Sequence, residues 1–245
     1  MNKMNKFIAF VCVMTFSIGA ASAQFYLGPR VGLNMSNMSW NTAGVDNISE
    51  MGFHGGATAR YQFMKKLSVQ MDAMVSTMGN KQKLIQTSDA GTTTTETTTK
   101  SMYVQVPIYI SFERPIMPDN LVPYRVKKTS ASFHLYGGGF FGYALSATQG
   151  TKLSVDNVLV TPAIQGDIDS KNYNAIDFGI MGGLGMSFKM DEHDTKRIGL
   201  DARYFLGMSN FDKRAGYTAT NSAIQISVMF TQKLTKRLYT TRHKR

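Results

Sequence analysis

The residues with the widest chemical range are the four histidines, His54, His134, His193 and His243. A histidine that activates a serine is the arrangement of many hydrolases, and histidines clustered with carboxylates bind metal ions. His193 stands in the run DEHD at 191–194, where successive side chains point in different directions and no second histidine is near, so we interpret this run as a solvated turn. His54 and His134 fall on the polar faces of two separate predicted strands, without a nucleophile elbow. We therefore expect no catalytic residue, no metal site and no cofactor.

Composition excludes several classes of protein. The chain has 245 residues, of which 18% are charged and 11% aromatic, which excludes an intrinsically disordered chain. A single cysteine excludes a disulfide framework. There are 27 lysines and arginines against 16 acidic residues. They concentrate at 125–128 and in the tail after residue 232, and no helix-turn-helix or zinc finger accompanies them, so we expect no nucleic acid partner.

The first 23 residues have the pattern of a secretion signal. Lys3 and Lys6 precede an apolar run over 7–20, and Ala21, Ser22 and Ala23 follow it. Small residues at the first and third of these positions are what signal peptidase accepts, and the run is too short to span a membrane. We predict a signal peptide at 1–23, cleaved after Ala23, a barrel at 24–235 and a basic periplasmic tail at 236–245.

Period-two alternation of apolar and polar residues organises the rest of the chain. Apolar side chains occupy every second position in eight stretches, and such alternation indicates β-strands with two different faces. The stretches are 25–36, 52–63, 67–76, 102–112, 133–146, 176–189, 198–209 and 224–231. Because no convincing helix separates them, we predict an all-β fold.

Three features favour a membrane barrel over a soluble sandwich. The stretches are long, and about 9–11 residues are needed to cross a bilayer at a tilt. The polar faces carry charges of both signs, as a filled lumen would. The connections alternate in length, with long ones at 37–51, 79–101, 147–175 and 210–222, and outer membrane barrels have long outer loops and short periplasmic turns. The sequence predicts an eight-stranded antiparallel transmembrane up-and-down β-barrel in the outer membrane, with both termini periplasmic.

The charged residues on the polar faces are expected to form a structural network inside the lumen. Arg30 and Arg60 are predicted to face each other on the first two strands, with Asp72 beside Arg60 on the third. Asp177 and Arg203 are predicted to be neighbours on the sixth and seventh strands. The expected network comprises Arg30, Arg60, Asp72, Asp177, Asp201 and Arg203. An eight-stranded barrel filled in this way is more consistent with a plugged scaffold than with a general pore.

Four phrases resemble a known family. They are GPRVGLNMS at 28–36, VQVPIYI at 104–110, DFGIMGGLG at 177–185 and LDARYFLG at 200–207. Together they resemble the strands of the PorT-like outer membrane β-barrel family of Bacteroidetes. The resemblance implies an eight-stranded barrel, and the family's namesake takes part in export through the type IX secretion machinery. The chain departs from the pattern in its long connection at 113–130 and in its basic tail.

The connection at 113–130 should be a short periplasmic turn but has about 18 residues. The plainer interpretation is an insertion; the alternative is a surface for a periplasmic or secretion-apparatus protein, with Arg125, Lys127 and Lys128 as contacts. The threonine-rich run at 87–100 is expected to be a mobile surface loop.

The sequence therefore predicts a non-enzymatic, monomeric barrel that is a scaffold or interaction protein, with a PorT-like accessory role in protein secretion as one form of it. Its expected partners are outer membrane lipid, lipopolysaccharide and the barrel insertion machinery. Three alternatives stay open: a narrow pore or small-ligand-binding barrel, a lipid-modifying enzyme that uses His54 or His134, and a soluble periplasmic barrel.

Overall fold

The fold was determined as a computed structural model. It describes residues 24–40, 46–88, 91–116, 131–156, 158–167, 173–191, 194–213 and 219–234. Nine strands cover most of these residues: β1 (Gln24–Trp40), β2 (Asp46–Gln62), β3 (Leu67–Ser88), β4 (Gly91–Pro115), β5 (Ala131–Val155), β6 (Val158–Asp167), β7 (Ile176–Lys189), β8 (Lys196–Gly207) and β9 (Ala219–Lys233). Within that part of the chain, no helix is long and apolar enough to cross a membrane.

Eight of the nine strands form a closed antiparallel ring. The order around it is β1, β2, β3, β4, β5, β7, β8 and β9, and β9 pairs with β1 to close it. Closure matters because it leaves no row of unpaired backbone groups within a lipid bilayer. The prediction of an eight-stranded antiparallel barrel is confirmed.

The two faces of each strand are as different as the alternation predicts. Leu33 and Phe53 point outwards and are about 60% exposed, as befits contact with lipid, whereas Asn34 and His54 beside them point inwards and are buried. The same alternation runs through β7, β8 and β9. Since side chains alternate with a period of two, this pattern excludes a register slip of one residue, which would turn every apolar side chain into the lumen.

The strands extend further than predicted, so the prediction of long loops at 79–101 and 147–175 is partly wrong. β3 has 22 residues, and β4 and β5 have 25 each. At about 3.3 Å per residue, 25 residues reach about 80 Å, well beyond a bilayer. The stretches at 79–88, 91–101 and 147–155 are therefore strands rather than loops, and β6 adds a ninth strand to β5 outside the ring. We call the part of β2–β6 above the ring the sheet extension, defined by 46–50, 79–88, 91–101, 147–155 and 158–167.

The threonine-rich run is part of this sheet and not a loop. Residues 91–100 of β4 pair with β3 on one side, and 93–100 pair with β5 on the other. The hydroxyl groups of Thr97 on β4 and Thr151 on β5 are hydrogen-bonded, with their oxygen atoms 3.2 Å apart. The run lacks apolar alternation because neither face has a core to fill, and threonine suits a strand through its branched Cβ.

Short turns connect the strands at the opposite end. Residues 64–66 join β2 to β3, and Met64 and Leu67 exchange backbone hydrogen bonds there. The link from β7 to β8 is held by Asp191, whose carboxylate accepts the backbone N–H groups of Thr195 and Lys196 at 2.8 Å. The interpretation of 191–194 as a turn agrees with these contacts, although His193 lies outside the described residues.

Glycine on the lumen face makes room for the large side chains of neighbouring strands. A Cβ on Gly138 would lie 2.2 Å from the carbonyl oxygen of Ile108 and 2.7 Å from the Cβ of Tyr109. The adjacent Gly137 faces outwards, and the nearest atom to a Cβ there would be 3.8 Å away. The two neighbours therefore differ only in which face they occupy.

We predict that Gly138→Val prevents or weakens barrel closure while Gly137→Val does not. Valine at position 138 would overpack the lumen against backbone, which costs about 1–3 kcal/mol or more. The measurement is the shift between unboiled and boiled samples on a gel, followed by the thermal midpoint of the folded band. Equal behaviour of the two variants would show that the assignment of faces is wrong.

Candidate functional site in the barrel lumen

Two arginines and two aspartates form a closed cluster in the middle of the lumen. Arg30 of β1 approaches Asp201 of β8 at 2.5 Å and Asp72 of β3 at 3.4 Å. Arg203 of β8 approaches Asp72 at 2.6 Å and Asp201 at 3.3 Å. The four side chains are at most 2% exposed. Each charge therefore has two partners of the opposite sign, which is what buried charges need. We call these four residues the central cluster.

Tyr109 of β4 occupies the centre of this cluster. Its hydroxyl accepts a hydrogen bond from Arg203 at 2.6 Å and lies 3.2 Å from Gln70 Oε1, to which it donates. The guanidinium of Arg203 also lies over the rings of Tyr109 and Tyr136, 4.8 and 5.5 Å from their centroids. Side chains from β1, β3, β4, β5 and β8 thus meet across the lumen.

A second group of charges lies near the turn end of the barrel. Glu113 of β4 binds both Arg60 of β2 and Arg197 of β8, with Arg197 at 2.9 and 3.0 Å. Arg197 also binds Asp194 at 2.5 Å. The ring of Tyr26 stands between the two guanidinium groups, whose carbons are 5.9 and 5.2 Å from its centroid. We call this group the basal cluster.

The end near the sheet extension is polar in a different way. Asp177 accepts hydrogen bonds from Ser209 at 2.5 Å and from Asn221 at 3.0 Å, and Asn221 also donates to Tyr103 at 3.1 Å. Among the described residues, no lysine or arginine forms an ion pair with Asp177. The predicted partnership of Asp177 with Arg203 is therefore wrong.

The other predicted pairings are also corrected, although all six predicted charges are buried in the lumen. Arg30 lies opposite Gly56, and Arg60 lies opposite Tyr26, so the two arginines are four residues apart along the pair. Across β2 and β3, Asp72 lies opposite Thr58 and not Arg60. Face assignment follows from periodicity alone, whereas pairing requires the register, which the sequence does not give.

Glu113 and Arg197 are lumen residues that the predicted network does not include. Glu113 falls in the predicted connection at 113–130 and Arg197 just before the predicted stretch 198–209, yet the structure places them at strand ends with 5% and 4% exposure. The alternation of inward and outward residues could have identified both as lumen residues. Glu113 continues the inward series two residues after Ser111, and Arg197 precedes Gly199 in the inward series of β8.

Two histidines form hydrogen bonds with serines on the lumen face. His54 Nε2 lies 2.8 Å from Ser227 Oγ, and His134 Nε2 lies 2.6 Å from Ser187 Oγ. Among the described residues, the Nδ1 atom of each ring has no hydrogen-bond partner. A hydrolytic triad has a third group that orients the imidazole from that side. Both histidines lie on the polar faces where the sequence places them, while His243 lies outside the described residues.

In the part of the chain that the structure describes, no group of three or more histidine, cysteine or acidic side chains could hold a metal ion. Arg125, Lys127 and Lys128, predicted as periplasmic contacts, lie outside the described residues, as do 1–23 and 236–245.

A closed antiparallel ring with an apolar exterior and a charged, filled interior defines a transmembrane β-barrel. The chain belongs to the outer membrane protein β-barrel domain family, whose sequence model matches residues 16–213. It is an outer membrane β-barrel protein. Among curated proteins no significant match is found.

Several solved structures are distantly similar. Ail of Yersinia pestis, crystallised with a heparin analogue, has 13% identity and a TM-score of 0.32, over 85% of this chain and 99% of that one. Neisserial surface protein A has 13% identity and a TM-score of 0.36, over 87% and 99%. OprG of Pseudomonas aeruginosa has 12% identity and a TM-score of 0.36, over 87% and 97%. The fold assignment rests on the sheet topology and the family match, not on these distant likenesses.

We predict that Asp72→Asn strongly destabilises the barrel, because Arg30 and Arg203 would then share only Asp201. Breaking a buried ion pair from one side costs about 3–5 kcal/mol. Urea unfolding in detergent micelles measures the loss. Glu96→Gln is the control, since it removes a partner of Lys152 in a partly exposed pair 4.0 Å apart and should cost at most about 1 kcal/mol. Similar losses of unfolding free energy in both variants would contradict the proposed contribution of the central cluster to stability.

Proposed function

We propose that the protein is a monomeric, non-conducting and non-enzymatic scaffold of the outer membrane, which acts through the surfaces at its two ends. The observation that carries this proposal is the central cluster, because its side chains meet across the lumen from opposite walls. A passage for solutes would require these four charges to separate. Each would then lose its partners in a medium of low dielectric constant.

The proposed orientation places the termini and short turns in the periplasm and the sheet extension outside the cell. It is supported by the position of both chain ends: Tyr26 of β1 lies opposite Lys233 of β9, at the same end as the turn at 64–66. Outer membrane barrels have short periplasmic turns and longer outer segments. In this arrangement the signal peptide is cleaved after Ala23, the insertion machinery folds the chain into the membrane, and the basic tail at 236–245 is periplasmic.

We also propose an accessory role in protein secretion of the PorT-like kind. The support is the resemblance of four strands to that family and the long connection between β4 and β5. This connection carries Arg125, Lys127 and Lys128 and emerges at the proposed periplasmic end. A basic segment there would suit an acidic surface on a periplasmic or secretion-apparatus protein.

A narrow pore is the alternative that a specific observation favours. Several buried lumen atoms make no hydrogen bond to any residue that the structure describes, among them His54 Nδ1, Ser111 Oγ and Gln225 Oε1. Ordered water would satisfy them, because buried polar groups are rarely left unpaired. A file of such waters could conduct small ions if the central cluster opened.

Conductance across a planar lipid bilayer separates the two functions. We expect no unitary current steps from the native barrel. We expect steps from a variant with Asp201→Ala and Arg203→Ala, which removes one charge of each sign and leaves Arg30 paired with Asp72 at 3.4 Å. The control is Glu96→Ala with Lys152→Ala, which removes a pair outside the lumen. Steps from the native protein would favour the narrow pore.

Affinity capture tests the secretion role. A variant with Arg125→Glu, Lys127→Glu and Lys128→Glu should retain at least ten-fold less of any periplasmic partner than the native protein, by analogy with the cost of like charges at an interface. The control is Lys65→Glu with Lys66→Glu, which reverses the charge of an exposed turn at the same end. Equal capture by native protein and both variants would contradict a partner at this connection.

A further inference from the structure

A cleft of about 290 Å³ lies on the outer wall of the barrel, where the ring meets the sheet extension. Met51, Phe53 and Met102 form its apolar part, and its polar part is formed by Glu50, Thr77, Lys100, Ser146 and Thr148. We call it the wall cleft. It is separate from the lumen, because Met51 and Phe53 belong to the exposed face of β2.

Two irregularities in the sheet and one glycine create the cleft. The pairing of β2 with β3 shifts register between Ser49 and His54, and the pairing of β4 with β5 shifts at Met102. Between these shifts stands Gly79 of β3, where a Cβ would lie 3.1 Å from the Cγ of Glu50. The Glu50 side chain crosses above this glycine and reaches Lys100 of β4 at 3.3 Å. β-bulges are commonly found where a strand presents a functional surface.

The cleft lies at the upper edge of the lipid-facing band. Along the outward face of β4, the apolar series that ends at Met102 gives way to Lys100, Thr98 and Glu96. On β3 the same change takes place from Val75 through Thr77 to Gly79. A molecule bound here would therefore contact hydrocarbon-facing side chains with one part and charged side chains with the other.

The charge at the polar half can bind an anion. Lys100 has a half-exposed side chain, and its ammonium group has three N–H donors, of which Glu50 engages one side. Lys81 and Lys83 lie on the same outward face of β3 as Gly79, two and four residues further along the strand. Asp46, Glu96 and Glu50 are the carboxylates on this side, and Glu96 is directed to Lys152 at 4.0 Å. Lys100 is the cation that lines the cleft itself.

We propose that the wall cleft binds a phosphorylated glycolipid of the outer leaflet, with one acyl chain against Met51, Phe53 and Met102 and a phosphate at Lys100. Hydroxyl groups lie beside the lysine, since Met102 is opposite Ser146 and Lys100 is opposite Thr148. The hydroxyl groups of Ser146 and Thr148 can form hydrogen bonds with those of a sugar headgroup. The assignment to the outer leaflet rests on the proposed orientation, because it requires the sheet extension to be outside the cell.

Native mass spectrometry of the intact barrel in mild detergent tests this site, with bis-phosphorylated lipid A as the probe. We expect a retained adduct on the native protein. Lys100→Gln should lower retention about five-fold, as expected for losing one cation near a lipid phosphate. Ser146→Trp, which fills the cleft from an exposed position, should abolish retention. Lys152→Gln is the matched control, since it removes a lysine from the same face without touching the cleft.

Equal retention by the native protein, Lys100→Gln and Ser146→Trp would overturn the proposal. So would equal losses in Lys100→Gln and Lys152→Gln, since they would indicate general attraction to a basic surface. Retention of phosphatidylglycerol as strong as that of lipid A would overturn the choice of a glycolipid. The gel shift on boiling checks that each variant is folded. Outer membrane fractionation and surface labelling of the extension test the orientation separately, so a wrong orientation and a wrong site give different results.

Discussion

Closure of the strand ring is the constraint on which the rest of the molecule depends. Once β9 pairs with β1, every strand in the ring has a hydrogen-bonded neighbour on both sides, and the outer face can be apolar. The same closure confines all inward side chains to a space only wide enough for side chains. Charges placed there cannot reach bulk water, so they need partners within the lumen. The central and basal clusters provide them as ion pairs that combine arginine, carboxylate and tyrosine, whereas Asp177 accepts hydrogen bonds from Ser209 and Asn221.

Both clusters connect strands that are not neighbours in the ring. The central cluster joins β1, β3 and β8 through Arg30, Asp72 and Arg203, so it connects strands that are not neighbours in the ring. The basal cluster likewise joins β2, β4 and β8 through Glu113. Backbone ladders hold adjacent strands together, whereas these side chains hold opposite walls at a fixed distance. Rigidity of the cross-section is therefore a property of the lumen charges, and it is the reason a plugged scaffold fits this interior.

Much of the fold could be predicted from the sequence because a period of two is visible without any knowledge of contacts. The eight ring strands, their lipid-facing sides and the inward direction of all six charges follow from it. The partners of those charges do not, since Arg30 and Arg60 are set four residues apart by a register that only the folded pairs define. The sheet extension was missed for a related reason: at 91–98 both faces are equally half-buried, so the alternation that reveals a strand is absent. Glu113 and Arg197 could have been found by continuing the alternation two residues further.

The sheet extension has an evolutionary consequence. Its strands are held by backbone hydrogen bonds and by cross-strand threonine contacts such as that of Thr97 with Thr151, while the charges that stabilise the barrel lie in the lumen. Substitutions of its exposed and half-buried side chains, such as those at 91–98 and 151–155, therefore leave the packing of the lumen unchanged. In the proposed orientation this surface faces the outside of the cell, where it can diversify under pressure from antibodies, phages or predators while the membrane-embedded ring stays the same.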